Sequence, residues 1–349
     1  MFGIFCLKLK RWIFQIRRKN PEHALSTKIN TTRTNTGIAH PTFATMPTPK
    51  IPTHNVPAFR QKFMRKEGHA SELLRLGFEQ FFVVRVEEMF RQIRLPVPPM
   101  RAETTSVILL TSGEANMRIG SEAFRIGPNE CLVVPSGQVF SFEKPDVNTG
   151  YLLHFHLDFL SGNILSQERL RGFEFLQIWG NPVVRLQEQA AVFAGQIAER
   201  VLDEYTPNGL KNAELLQSHL FALLCELKVA YQPHFPVGQG KSFALSNRFR
   251  ELVQQHYKSV HAVADYAKML HVSPNHLNKA LKSATGKSPT QWMDEALLLE
   301  AKVLLGQTQL SVGEIAAEIG MGDASYFSRF FKKMEGVSPV EFRRRIELS

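Results

Sequence analysis

The order of apolar and polar positions changes character twice along the chain. Between residues 79 and 160, short β-rich runs recur at 81–86, 106–111, 115–119, 131–134, 139–142 and 151–157. Turn-forming residues separate them, among them Ser112-Gly113, Gly127-Pro128-Asn129 and Pro135-Ser136-Gly137. Several short strands at this spacing predict a β-sandwich or barrel. From 186 to 231 the period becomes helical. Val192, Phe193, Ile197, Val201 and Leu202 form one stripe; Leu215, Leu216, Leu220, Phe221, Leu223, Leu224 and Leu227 form a second. The second stripe wraps most of its helix, which places that helix either inside its own domain or against a partner chain. Residues 233–240 (PHFPVGQG) then read as a linker.

The last third of the chain is an internal repeat. One copy runs from Ala267 through Leu277 and Lys282 to Gly286 and Pro289; the other runs from Ala316 through Phe327 and Lys332 to Gly336 and Pro339. The offset is 49 residues at the first pair and 50 at the others, so the second copy has one extra residue in its turn. Each copy reads as helix, tight turn, helix. Val263, Tyr266, Ala267 and Leu270 make the inner face of the first helix, matched by Val312, Ile315, Ala316 and Ile319. Ser273, followed by Pro274, is expected to cap the second helix of copy one, and Asp323 that of copy two. Gly320 permits the sharp turn. This is the layout of a helix-turn-helix, whose second helix enters the major groove of double-stranded DNA.

In the second helices, Leu277 and Leu281 match Phe327 and Phe331 and should point inward. The outward face then carries Asn275, Asn278, Lys279 and Lys282 in copy one, and Ser325, Ser328, Arg329, Lys332 and Lys333 in copy two. Amide and guanidinium groups can bond base edges, and hydroxyls are short, adaptable partners. Lysines nearer the helix ends are expected at phosphates, which hold register without reading sequence. Any one of these residues alone reads equally well as solvated surface; two aligned copies with the same polar face favour DNA. Between the copies, residues 289–306 carry Trp292, Met293, Ala296, Leu297, Leu299, Leu304 and Leu305. A helix of ~15 residues there would be ~22 Å long. It would hold the two reading helices rigidly, about one duplex turn (~34 Å) apart.

Composition adds bounds. The 349 residues are 44% hydrophobic and 21% charged, enough to bury a core, and no apolar run approaches a membrane span. Cys6, Cys131 and Cys225 are odd in number and widely spaced, which excludes a disulfide framework or a cysteine zinc cluster and favours a reducing cytoplasm. The net charge of +10 sits mostly in residues 1–70, with 13 Lys/Arg against 2 Asp/Glu, so the overall basicity says little about nucleic acid. That extension reads as a basic, disordered tail with a Thr/Pro/Asn-rich linker at 21–58, or as an over-extended start with Met46 or Met64 as initiator. A basic helix on a membrane surface is the other reading. Stable membrane association is not expected.

The pattern Ile315-Ala316, Gly320, Ser325-Tyr326-Phe327-Ser328-Arg329, Phe331-Lys332-Lys333, Gly336-Val337-Ser338-Pro339 and Phe342-Arg343 closely resembles the second helix-turn-helix signature of the AraC/XylS family of transcription regulators. Residues 245–347 resemble that family's whole DNA-binding domain. Residues 79–160, with Gly113, Gly120, Pro135, Gly137 and the Phe155 strand, resemble its cupin-type sensor barrel more loosely. The resemblance implies an α+β chain: a cupin-like barrel with following helices, then an all-α domain with two helix-turn-helix units. The expected division is a basic extension at 1–70, a sensor barrel at 71–175, a helical dimerisation and linker region at 176–240 and the DNA-binding domain at 241–349. It also implies a small-molecule effector, a homodimer joined through helices after the barrel, and contact with RNA polymerase. The family's base-contacting positions fall on Asn275, Asn278 and Lys279, and on Ala324, Ser325, Ser328 and Arg329. Ala324 offers only an apolar contact, as to a thymine methyl. Leu297 stands where the family's linker helix commonly has Arg.

Many cupins are metalloenzymes, so that alternative has to be weighed. The cupin metal pattern wants two His and a Glu before a Gly and a third His after Pro-x-Gly. Here the Pro-x-Gly is 135–137 and the ligand position holds Phe140; the earlier positions, near 99–101 and Ser106, hold no imidazole or carboxylate. His154 and His156 alternate with Tyr151, Leu153, Phe155 and Leu157, and are expected to face outward or a rim. No nucleophile elbow or phosphate loop surrounds the serines. The expectation is a regulator without catalytic residues, metal or cofactor. The alternatives are a cupin-like metalloenzyme with an appended DNA-binding domain and an effector-independent architectural DNA binder.

Overall fold

A computed structural model describes residues 74–101, 103–142, 146–160, 169–170, 172–178, 180–232 and 240–347, together with 61, 63 and 64. The N-terminal tail and its linker at 21–58, Cys6, and the linker at 233–239 lie outside the described residues.

Among the described residues, nine strands form two sheets. The first is ordered β1-β8-β3-β6-β9, from Phe81–Arg85, Asn148–Phe155, Thr105–Gly113, Glu130–Val134 and Val183–Arg185. The second is ordered β2-β7-β4-β5, from Val97–Arg101, Val139–Phe142, Ala115–Ile119 and Glu122–Ile126. All pairings are antiparallel. The expected barrel is therefore an open, two-sheet one. All six expected strands are present, each within about three residues of its expected centre.

Three strands were not foreseen. β2 carries Pro98-Pro99 and tolerates them because it is an edge strand with a register shift at that point. β5 is a half-exposed edge with weak alternation. β9 is three residues long. β9 also corrects the expected boundary, since it extends the sensor sheet into the segment 176–240 that was expected to be helical only. The boundary at 70 shifts as well: Phe63 and Met64 are buried in the sensor core, and Met64 bridges to Ile93.

Short helices α1 (Val86–Gln92) and α2 (Leu157–Leu160) flank the sheets, and long helices α3 (Glu188–Asn208) and α4 (Ala213–Ala230) cover the five-stranded one. Phe81 stacks on Phe159 at 4.9 Å and meets the edge of Tyr205 at 5.7 Å. In α3 the buried line is Ala194, Ala198, Val201 and Tyr205, while Val192 and Phe193 stay exposed. Small alanines let α3 and α4 approach closely, so the larger residues are turned out. In α4, Leu216, Leu220, Leu223, Leu224 and Leu227 are buried within the monomer and Leu215 is exposed. Most of the second stripe is thus buried inside its own domain.

The C-terminal core is separate and all helical: α5 (Gly240–His256), α6 (Val263–Met269), α7 (Pro274–Thr285), α8 (Pro289–Gln307), α9 (Val312–Glu318), α10 (Ala324–Glu335) and α11 (Pro339–Glu347). The repeat is legible in the capping. Ser273 accepts a bond from His276 N and Asp323 from Tyr326 N, starting α7 and α10. Gly286 and Gly336, 50 residues apart, end them in the left-handed conformation. Ser288 and Ser338 cap the next helices, Ser288 in a reciprocal box with Gln291. No helix among the described residues is long and apolar enough to cross a membrane.

Candidate nucleic-acid interface and sensor cavity

The two second helices, α7 and α10, bury the residues expected inward: Leu277, Leu281, Phe327 and Phe331 are all fully buried. Phe327 and Phe331 meet edge to face at 5.9 Å, and Phe331 meets Phe342 of α11 at 5.5 Å. The first helices α6 and α9 complete the packing with Tyr266, Ala267, Ile315 and Ala316, all buried. This packing turns one polar face of each second helix outward. Asn275, Lys279, Lys282, Ala324, Ser325, Arg329, Lys332 and Lys333 are exposed, and Asn278 and Ser328 partly so. Ser328 donates to Ala324 O at 2.8 Å, within its own helix. Among the described residues none forms an ion pair with Lys279, Lys282, Arg329, Lys332 or Lys333. Lys332 and Lys333 lie in the last turn of α10, where cations also suit the helix dipole.

Between the copies, α8 runs unbroken from Pro289 to Gln307, 19 residues or about 28 Å. Met293, Leu297, Ala301, Leu304 and Leu305 are buried along it. Leu297 lies in this apolar seam, packed in the helical core. Lys302 of α8 pairs with Glu335 of α10 at 2.5 Å, and Arg343 of α11 donates to Leu305 O at 3.2 Å and Leu310 O at 2.6 Å. These contacts fix the second unit to the connecting helix.

The sensor holds an apolar cavity of about 100 Å³ between its two sheets. Phe82, Met89, Met100, Met117, Phe140 and Leu152 are among its walls. Phe140, Met100 and Ser106, at or beside the places of the cupin metal pattern, all line it. No group of three or more His, Cys, Asp or Glu that could hold a metal occurs among the described residues.

His154 corrects an expectation. It points into this cavity, stacked at 4.7 Å on Phe82, rather than outward. Tyr151, Leu153 and Phe155 pack on the opposite side, under the helices. Alternation separates two faces but cannot say that both are covered. Both ring nitrogens of His154 are taken, Nδ1 by Ser106 Oγ at 2.8 Å and Nε2 by Thr104 Oγ1. Burial lowers its pKa to about 3, so the ring is neutral. His156, past the strand end, lies 3.2 Å from the Asp158 carboxylate.

Strand β2 has a double role. Met100 faces the cavity, while Arg101, one residue on, faces α8 and pairs with Glu300, which is 1% exposed. The same face meets α8 again where Gln307 Nε2 donates to Pro99 O at 3.3 Å. Ser121 Oγ donates to Glu295 at 2.8 Å, a further link from sensor to α8. Sequence reasoning missed this contact. Its one sequence signal was Glu300, a charge among the otherwise apolar positions that α8 buries.

Comparison with known proteins bears on both domains. Residues 266–345 match a family model described as a helix-turn-helix domain, and residues 83–224 match one described as an AraC-like ligand binding domain. The chain is 31% identical over 180 residues to YisR, an uncharacterized HTH-type transcriptional regulator of Bacillus subtilis, covering 51% of this chain and 61% of that protein. It thus spans less than two thirds of that relative. It is 25% identical over 242 residues to the arabinose operon regulatory protein of Salmonella typhimurium, covering 68% of this chain and 83% of that one. Among solved structures, ToxT from Vibrio cholerae matches with a TM-score of 0.39 at 15% identity, over 76% of this chain and 97% of that chain.

Proposed function

The chain belongs to the AraC/XylS family of transcription regulators, and from that premise we propose that it is a sequence-specific, effector-responsive regulator of transcription. The observation that carries the reading is the duplicated helix-turn-helix: two second helices capped, buried and left polar at matching positions, held by one continuous helix. In this reading Asn275, Asn278, Lys279, Ala324, Ser325, Ser328 and Arg329 meet base edges in two successive major grooves of double-stranded DNA. Lys282, Lys332 and Lys333 meet phosphates.

The division of labour falls at residue 240, with sensor and helices before it and DNA reading after it. The effector of the sensor cavity is an uncharged, largely apolar small molecule. Its walls are Phe, Met and Leu, and its one imidazole is neutral and already hydrogen-bonded. Pressure on Met100 is passed along β2 to Arg101 and so to Glu300 on α8, which shifts the population competent to bind DNA. Val192, Phe193 and Leu215, exposed on α3 and α4, form a homodimer seam. The protein acts in the cytoplasm, through DNA and RNA polymerase, without chemistry of its own.

The test is a footprint on the promoter regions that the protein binds. One monomer should protect two major-groove segments about one duplex turn (~34 Å) apart. Met117→Trp, which fills the sensor cavity, should preserve that footprint and abolish its response to the effector. A single protected groove per monomer contradicts the paired reading, and a retained response in Met117→Trp contradicts the cavity assignment.

A further inference from the structure

Each second helix carries an exposed ring in its first turn, at the same place in both copies. His276 in α7 and Tyr326 in α10 lie 50 residues apart, the offset of the repeat. Both are exposed, Tyr326 to 56%. Each stands third in its helix, and its backbone N–H is the one that the cap holds. His276 N donates to Ser273 Oγ at 3.2 Å, and Tyr326 N donates to Asp323 Oδ1 at 2.6 Å. Both rings are therefore carried on a capped, fixed turn. Among the described residues none bonds to the imidazole of His276 or to the hydroxyl of Tyr326.

Helical geometry says where these rings point. A step of about 100° per residue separates His276 from Asn275 on the outward face and from Leu277 on the buried one. The same step separates Tyr326 from Ser325 and from Phe327. The rings thus stand on the flank of each helix, between the reading face and the core. Lys333, about two turns further along α10, shares the flank of Tyr326.

A helix with its side chains is about 10–12 Å across, and the major groove is about 12 Å wide. A helix seated with its outward face on the base edges brings its flank against the groove wall, and that wall is sugar and phosphate. A single exposed ring on a surface needs no explanation. Two rings in register, on capped turns and beside residues that face the bases, do. Phenol and imidazole both offer a hydrogen-bond donor at the far end of a planar, stiff side chain.

We propose that His276 and Tyr326 clamp the DNA backbone. The Tyr326 hydroxyl and a ring N–H of His276 donate to phosphate oxygens on the strand that walls each groove, and this holds each helix in register for the base-reading residues beside it. The inference rests on the DNA reading proposed above and adds one contact per groove to it. A hydroxyl carries no charge, so the contact of Tyr326 releases no counterion, which separates it from Lys332 and Lys333 in a salt series.

The experiment measures binding of the full chain to two duplexes of equal length, one carrying the footprinted segment and one of random sequence, with Asn278→Ala as the reference for base reading. Tyr326→Phe should weaken both duplexes alike, by about two- to tenfold. It should leave the ratio of specific to random affinity within about twofold and the salt dependence unchanged. His276→Ala should also weaken both alike, and His276→Gln, which keeps a donor, should recover most of the loss. A second readout replaces the phosphates of the specific duplex one at a time by uncharged methylphosphonates. At least one replacement should cost the unaltered protein more than it costs Tyr326→Phe. Undiminished binding in Tyr326→Phe or His276→Ala, a ratio that falls as it does in Asn278→Ala, or the same methylphosphonate pattern in both proteins overturns the proposal. If Asn278→Ala itself leaves the ratio unchanged, the base-reading assignment fails instead, and Tyr326→Phe on the random duplex still decides the clamp.

Discussion

His271 and Gly320 occupy the same place in the two helix-turn-helix units, 49 residues apart, and both have a left-handed backbone, with φ of 56° and 82°. The turn geometry therefore belongs to the fold, and a different residue type satisfies it in each copy. A Cβ on Gly320 would lie 2.1 Å from the Lys258 carbonyl oxygen. Gly320→Ala should destabilise the protein by about 2 kcal/mol or more, from strain and a backbone clash together. At His271 the relief of left-handed strain is offset by the entropy of glycine, so His271→Gly should change stability by about 1 kcal/mol or less. Urea unfolding of the two variants checks the asymmetry; equal effects would contradict it.

Arg101 and Glu300 join the sensor to α8 through a buried ion pair. Arg101→Met leaves Glu300 buried without its partner and should cost about 3–5 kcal/mol. The double variant Arg101→Met with Glu300→Leu should recover most of that loss, because no charge is then left buried. A double-mutant cycle by denaturant unfolding measures it, and additive losses would show that the two side chains do not interact.

His154 makes stability depend on pH. Unfolded, the ring takes up a proton below its ordinary value of 6.5; folded, it refuses one until about 3. Its contribution is therefore complete above pH 6.5 and is lost as pH falls from there toward 3. At pH 5 the loss should reach about 2 kcal/mol. His154→Gln, which can still bond Thr104 and Ser106, should flatten the profile over this window. Parallel profiles for the two proteins would mean that the ring is not held neutral.

How much was legible depended on how much of the physics was local. Caps, turns and the 49/50 offset are sequence-local, so Ser273, Asp323, Gly320 and the Leu277/Phe327 pairing could all be read before any fold was known. The outward placement of Asn278 and Arg329 follows from the same periodicity. What escaped was set by distant packing. His154 sits on a strand covered on both faces, so its alternation with Leu153 and Phe155 could not tell solvent from a cavity. β2 is formed by edge pairing that overrides Pro98-Pro99. The ion pair of Arg101 with Glu300 depends on two domains coming together across more than a hundred residues.

The central claim is that two homologous helices read DNA together, and Asn278 and Arg329 test it most directly. Alanine at each should cost about 1–3 kcal/mol of specific binding and leave binding to random DNA nearly unchanged. Lys332→Ala should weaken all sequences alike and reduce the salt dependence. The decisive quantity is the ratio of specific to random affinity at fixed salt, measured for Asn278→Ala, Arg329→Ala and the pair. The account predicts that each single variant lowers the ratio at least fivefold and that the pair lowers it further; a ratio unchanged in either single variant would contradict it.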